Sequence, residues 1–268
     1  MDETAAIRAM LARLSAVHVE TDPWPHAFVA DFLPDPLYRD LVAALPATPR
    51  TSGPPRGWAS PPTPYVPSGV GLSSYRSADE RLVTNIPDPA WWGEDLADIL
   101  ATLAVTFHNR EVLAALMRIF RAEQRDVIER ALRPEVQIQS AVRLMHDADD
   151  YDLLVHTDSP DKFLSIVVYV PRDGGTEGGT SLFRLKAVGE VSGYKYYPTR
   201  YFDLARKLLF TPNAAFVLLR TEESFHGKPR MHEDVRADRM TLQVNYFLMR
   251  RVEGQLVPDL PAKYARAR

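Results

Sequence analysis

The sequence predicts an α+β chain dominated by β-structure, with helices in its N-terminal half and an antiparallel jelly roll or barrel in its C-terminal half. Three observations predict this. Between about 90 and 132, apolar residues recur at helical spacing: Leu96, Ile99, Leu100 and Leu103 form one stripe, and Val112, Leu113, Leu116 and Ile119 another. From 135 onward the pattern changes to short runs rich in β-branched and aromatic residues, at 136–139, 163–170, 214–219 and 240–248. Glycine pairs at 174–175 and 178–179 punctuate those runs as turns.

The remaining elements follow in order. Residues 3–17 read as an amphipathic helix with Ile7, Met10, Leu11 and Leu14 on one stripe. The segment P-H-A-F-V-A-D-F-L-P reads as a short strand leading into a helix at about 36–45. Pro36 falls in that helix's first turn, where its missing N–H costs nothing. Residues 46–75 are crowded with Pro, Ser and Gly and read as a long loop. With Trp58 and Tyr65 in it, that loop is a candidate lid. The expected organisation is one domain over 1–268. Residues 1–134 form mostly helical support that includes the loop 46–75, residues 135–250 the β core, and 251–268 a C-terminal tail.

Composition limits the chemistry. The 268 residues are 46% apolar, enough for a sizeable core, and 32 basic side chains nearly balance 35 acidic ones. A net charge of −3 gives no basis for nucleic-acid binding or for an anionic membrane partner. The chain has no cysteine, so disulfides and thiolate metal sites are excluded, and any metal must use His, Asp, Glu or water. The acidic start Met-Asp-Glu-Thr is unlike a signal peptide, and no apolar run approaches the roughly 20 residues of a membrane span. The expectation is a cytoplasmic protein, monomeric or homodimeric.

One constellation carries chemistry. In L-L-V-H-T-D-S-P, His156 and Asp158 are two apart, and residues i and i+2 of a strand share a face. His226 follows Asp158 by 68 residues, room for several strands to wrap and return. Two imidazoles and a carboxylate form a facial set that suits Fe(II) and leaves positions open for other ligands. Taken singly, an H-x-D pair is common and a lone histidine is more often a turn residue. The order of the three, each beside a strand, singles them out. The remaining histidines fit this pattern less well: His18 and His26 lie near the N-terminus, and His108 in a helical run. His146 stands in the acidic loop M-H-D-A-D-D, and His232 six residues past His226.

On these residues the chain resembles the Fe(II)/2-oxoglutarate oxygenase superfamily, particularly its prolyl-hydroxylase-like branch. The resemblance covers about 135–250, with a looser echo at 25–45. It rests on the ordered set V-H-T-D-S-P, the strand ending Tyr169-Val170-Pro171, E-G-G-T-S-L-F, the strand A-A-F-V-L-L and S-F-H-G. The fold it implies is a double-stranded β-helix. It also implies that His156, Asp158 and His226 bind Fe(II), and that an arginine holds the distal carboxylate of 2-oxoglutarate by paired charge-assisted bonds. Arg239, with Thr241 two residues on, matches the family's R-x-S/T pairing, and Arg236 is the alternative. The activity implied is dioxygenation: O2 and 2-oxoglutarate are consumed to succinate and CO2 while an unactivated C–H of the substrate is oxidised. Because Asp158 is present, hydroxylation or a related oxidation is favoured over halogenation. The expected substrate is a small molecule. A protein or peptide side-chain (prolyl-type) hydroxylase and a non-catalytic jelly-roll protein that binds metal or ligand are the alternatives. The aromatic and basic segment 192–201 stands between strands as a substrate-shaping or merely packed loop.

Overall fold

The computed structural model describes residues 2–45, 73–76, 82–85, 94–147, 153–171, 178–186, 197–228 and 239–261. Helix α1 (Glu3–Leu14) starts where the Asp2 side chain accepts from the Ala5 N–H, and it buries Ala6, Met10 and Leu14. It stops three residues short of the predicted end. Helix α2 (Asp35–Ala44) carries its proline at the start, as predicted. The long helical region resolves into α3 (Glu94–His108), α4 (Arg110–Ile119) and α5 (Arg125–Ala131). Asn109 separates the first two by capping the N–H groups of Glu111 and Val112. No single described helix is long and apolar enough to cross a membrane.

The strands, in chain order, are β1 (His26–Val29), β2 (Ser73–Arg76), β3 (Leu82–Asn85), β4 (Val136–Asp147), β5 (Leu153–His156), β6 (Lys162–Tyr169), β7 (Ser181–Leu185), β8 (Phe202–Lys207), β9 (Ala215–Leu219), β10 (His226–Lys228), β11 (Arg239–Val252) and β12 (Gln255–Pro258). They form two sheets. The larger runs β1-β9-β6-β11-β4-β3-β2, with β12 paired to β11, and the smaller runs β5-β10-β7-β8. From β4 to β11 the chain crosses between the sheets so that, apart from the consecutive pair β7–β8, neighbours in space are not consecutive in sequence, and all are antiparallel. That is the double-stranded β-helix, or jelly roll.

Period-2 geometry sorts the large sheet into two faces. On β11, Met240, Leu242, Val244, Tyr246 and Leu248 join the core shared with the helices, as do Leu164, Ile166 and Val168 of β6. The alternate residues face the small sheet. Cross-strand register aligns them in rows: Ala141–Asn245–Ser165–Leu218–His26 and Arg143–Gln243–Val167–Phe216–Phe28. One face is therefore apolar and packed under helices, while the other is mixed and bounds an interior cavity. The buried Tyr246 hydroxyl donates to the Phe107 carbonyl at 2.7 Å, tying α3 to β11. Burial pushes that phenol well above its ordinary range, so it stays protonated.

Several expectations need correcting. Besides the short strand predicted ahead of α2, which is β1, the N-terminal half adds β2 and β3 to the large sheet. Residues 73–75 of the predicted loop lie in β2; 46–72, with Trp58 and Tyr65, lie outside the described residues. The predicted tail is partly sheet: β11 continues to Val252 and turns into β12, which pairs back on it from Met249 to Val252. His146 belongs to the end of β4, opposite Met240, rather than to a loop. Within the segment 192–201, Tyr197 bridges Val155 and Thr199–Tyr201 forms one turn of 3-10 helix; 192–196 lie outside the described residues.

Candidate metal centre and its cavity

β5 and β10 are antiparallel neighbours, and His156 stands directly opposite His226 in their register. Direct partners point to one face, so the two rings meet, with centroids 4.4 Å apart. Each ring is oriented by a hydrogen bond between its Nδ1 and the carbonyl two residues earlier. His156 uses Leu154 O and His226 uses Ser224 O, both at 2.9 Å. With Nδ1–H donating there, Nε2 of each ring is the ligand atom.

Asp158 reaches the same point by a different route from the one predicted. β5 ends at His156, so strand geometry does not carry the carboxylate. Instead the buried Arg220 donates from Nε to the Asp158 carbonyl at 3.1 Å, and the Lys162 N–H closes a turn onto Ser159 O. The carboxylate itself is gripped twice: Lys162 Nζ donates to Oδ1 at 2.8 Å and Ser165 Oγ to Oδ2 at 2.6 Å. The Asn245 amide lies 3.1 Å from Ser165 Oγ through Oδ1, while its Nδ2 is buried without a partner. Turning the amide over lets Nδ2 donate to that hydroxyl and completes the relay. The outcome is that ligand atoms of His156, Asp158 and His226 all lie within 4.8 Å of one another, in a buried cluster.

Electrostatics keep the cluster ready for a cation. Burial, then the neighbouring His226, lowers the His156 pKa to about 3, and burial lowers that of His226. Burial alone would raise the Asp158 carboxyl, but Lys162 and the two imidazoles outweigh it and hold it below the usual carboxylate range. At neutral pH the set is therefore two neutral imidazoles and one carboxylate, the protonation state that metal binding needs. A stability prediction follows. For histidine the folded pKa is depressed, so below about 6.5 the unfolded chain binds protons that the folded chain refuses. Buried His26, also lowered by burial, adds to the effect. The melting temperature of the metal-free protein should fall steadily as pH drops from 7 to 4. A flat profile across that window would contradict the buried, neutral histidines.

The cluster opens into a cavity of about 340 Å³ whose lining includes Lys162, Lys228, Arg239, Gln243 and Asn245. Arg239 begins β11 and is buried. Its Nε donates to the Gly178 carbonyl at 2.6 Å, and its guanidinium lies over the Phe210 ring at 5.4 Å. Two residues on, Thr241 shares its face; its Oγ1 is fully buried with no hydrogen-bond partner. A buried hydroxyl without a partner costs free energy that a ligand's acceptor would recover. Arg236 and His232 lie outside the described residues. Lys162, Ser165, Asn245 and Arg220 escaped the sequence reading. The available signal was a serine interrupting the largely apolar run of β6 and an asparagine on the polar face of β11.

Fold and cluster together define a class: a double-stranded β-helix whose interior carries an open-faced set of two histidines and one carboxylate. No protein-family model matches the sequence, and no curated protein matches it. Among solved structures, a Pseudomonas putida prolyl-4-hydroxylase is 15% identical, with a TM-score of 0.36 over 92% of this chain and 95% of that one. The non-haem α-ketoglutarate-dependent epimerase SnoN from nogalamycin biosynthesis is 11% identical, with a TM-score of 0.43 over 97% and 91%. The Arabidopsis thaliana dioxygenase for auxin oxidation, solved with 2-oxoglutarate, is 12% identical, with a TM-score of 0.39 over 85% and 84%.

Proposed function

We propose that the protein is an Fe(II)- and 2-oxoglutarate-dependent oxygenase that oxidises an unactivated C–H of a small molecule. The observation that carries the reading is the pairing, in one cavity, of the three-residue cluster with buried Arg239; the partnerless hydroxyl of Thr241 lies two residues on along the same face of β11. An N,N,O donor set on one face suits ferrous iron and leaves the other face open. Arg239 and Thr241 suit the far carboxylate of a dicarboxylate co-substrate: a fixed guanidinium for two parallel bonds and a hydroxyl for a third. Iron held by His156, Asp158 and His226 would activate O2, the oxidant; 2-oxoglutarate, oxidised to succinate and CO2, would supply two of its four electrons and the substrate C–H the other two.

The chain's own part is positioning. Leu154 and Ser224 carbonyls fix the imidazole planes, and Ser165 with Asn245 fixes the carboxylate. The Phe210 ring beneath the Arg239 guanidinium and its bond to Gly178 pre-set the plane on which a carboxylate docks. Phe216, packed 5.9 Å from the His226 ring, and Leu218 wall off water behind the cluster. A cavity of this volume is at the small end of small-molecule sites, which favours a small substrate over a peptide.

The test is an anaerobic titration with Fe(II) and then 2-oxoglutarate. A visible charge-transfer band should appear only with both. Arg239→Ala should weaken 2-oxoglutarate binding by at least about tenfold, the loss of paired charge-assisted bonds, while Arg236→Ala leaves it unchanged. If the folded, iron-loaded protein gives no band, the non-catalytic reading replaces this one.

A further inference from the structure

We propose that Lys162 competes with the metal ion for the Asp158 carboxylate and, once displaced, anchors an anionic group of the substrate. The second half rests on the oxygenase reading above; the first does not. Both oxygens of Asp158 are engaged, one by a cation and one by a neutral hydroxyl. An ion taking the carboxylate comes within a few ångströms of the ammonium, and two cations on one buried carboxylate repel each other strongly. The two partners differ in their freedom to leave. Ser165 is buried in mid-strand, whereas Lys162 is the first residue of β6, on a flexible stem whose side chain is 21% exposed. Its charge already reaches the cluster, contributing to the lowered pKa of both His156 and His226. Among the described residues lining the cavity, Asp158 is the sole acid, against Lys162, Lys228 and Arg239. A displaced ammonium therefore has no other carboxylate to meet in that lining, and the complementary group is a substrate carboxylate or phosphate.

The experiment is calorimetric titration of the wild type, Lys162→Met and Lys162→Arg with Mn(II), followed by probes. Circular dichroism confirms that each variant is folded. Lys162→Met should bind Mn(II) at least about tenfold more tightly, the scale of a lost charge-assisted bond, with Lys162→Arg close to wild type. Equal or weaker binding by Lys162→Met overturns the competition. With Mn(II) and saturating 2-oxoglutarate occupying the iron site and Arg239, benzoate, phenyl phosphate and neutral benzamide are then titrated. Binding of at least one anion but not of benzamide, lost in Lys162→Met and kept in Lys162→Arg, supports the anchor, and the better anion tells carboxylate from phosphate. If neither anion binds the wild type, or if Lys162→Met binds them equally well, the anchor is overturned. Failure of 2-oxoglutarate itself to bind would sink the oxygenase reading separately, leaving the Mn(II) comparison to stand by itself.

Discussion

His226→Ala should abolish tight divalent-metal binding and all consumption of 2-oxoglutarate while leaving the protein folded. The imidazole is one of three ligands, and no other described histidine or carboxylate joins the cluster to replace it. Removing even an outer hydrogen-bond partner of a ligand costs about 10–100-fold in metal affinity, so loss of a ligand should exceed about 100-fold. The fold should survive because β10 keeps its backbone pairing with both β5 and β7. The ring's packing against Trp24 and Phe216 is lost, so some stability goes with it. Mn(II) calorimetry and a thermal melt on the same sample separate the two effects. Undiminished Mn(II) affinity would remove His226 from the metal centre. The contrasting variant, Asp158→Asn, keeps the shape but removes the charge that balances Lys162, so it should lose the metal as well.

Gly179→Ala should damage the fold and the proposed co-substrate site together. A Cβ on Gly179 would sit 1.9 Å from the Leu208 carbonyl oxygen and 2.8 Å from its carbon, both backbone atoms that cannot swing aside. The neighbouring residues have anchoring roles. The Gly178 carbonyl accepts from Arg239, and the Thr180 N–H and hydroxyl both meet the Tyr169 hydroxyl. Pushing this segment off Leu208, which directly follows β8, therefore disturbs Arg239 as well as the β7–β8 pairing. Overpacking of this severity costs about 3 kcal/mol, a fall in melting temperature of roughly 6–12 °C for a chain of this size. The KM for 2-oxoglutarate should rise in whatever folded protein remains. A variant melting within a degree or two of wild type would show that the close approach does not exist. Gly227 faces a milder form of the same constraint, with Leu153 O 2.7 Å from its added Cβ.

Much of the metal cluster was legible because each member announced itself locally. His156 and Asp158 are two apart, and His226 follows an apolar run and precedes a glycine. Arg239 and Thr241 were named through the resemblance, but the partners that hold the cluster itself were not legible. Gln243 and Asn245 continue the alternation of Arg239 and Thr241 with apolar residues along β11, the same pattern that a strand with one face in water would show. Alternation says that a strand has two different faces; it does not say that the polar one is covered by a second sheet. Lys162 and Ser165 were overlooked for the same reason, and β2, β3 and β12 were missed because short strands earn their identity from the strand beside them.

The sequence by itself determined where the helices and main strands run, that a metal here uses only nitrogen and oxygen ligands, and which three residues supply them. Those properties reside in local spacing and in the side chains' own chemistry. Only the tertiary structure decided that His156 faces His226, that Arg220 rather than a continuing strand aims Asp158, and that a lysine shares its carboxylate. Register between strands 70 residues apart, and burial of a polar face, depend on what the chain packs against itself.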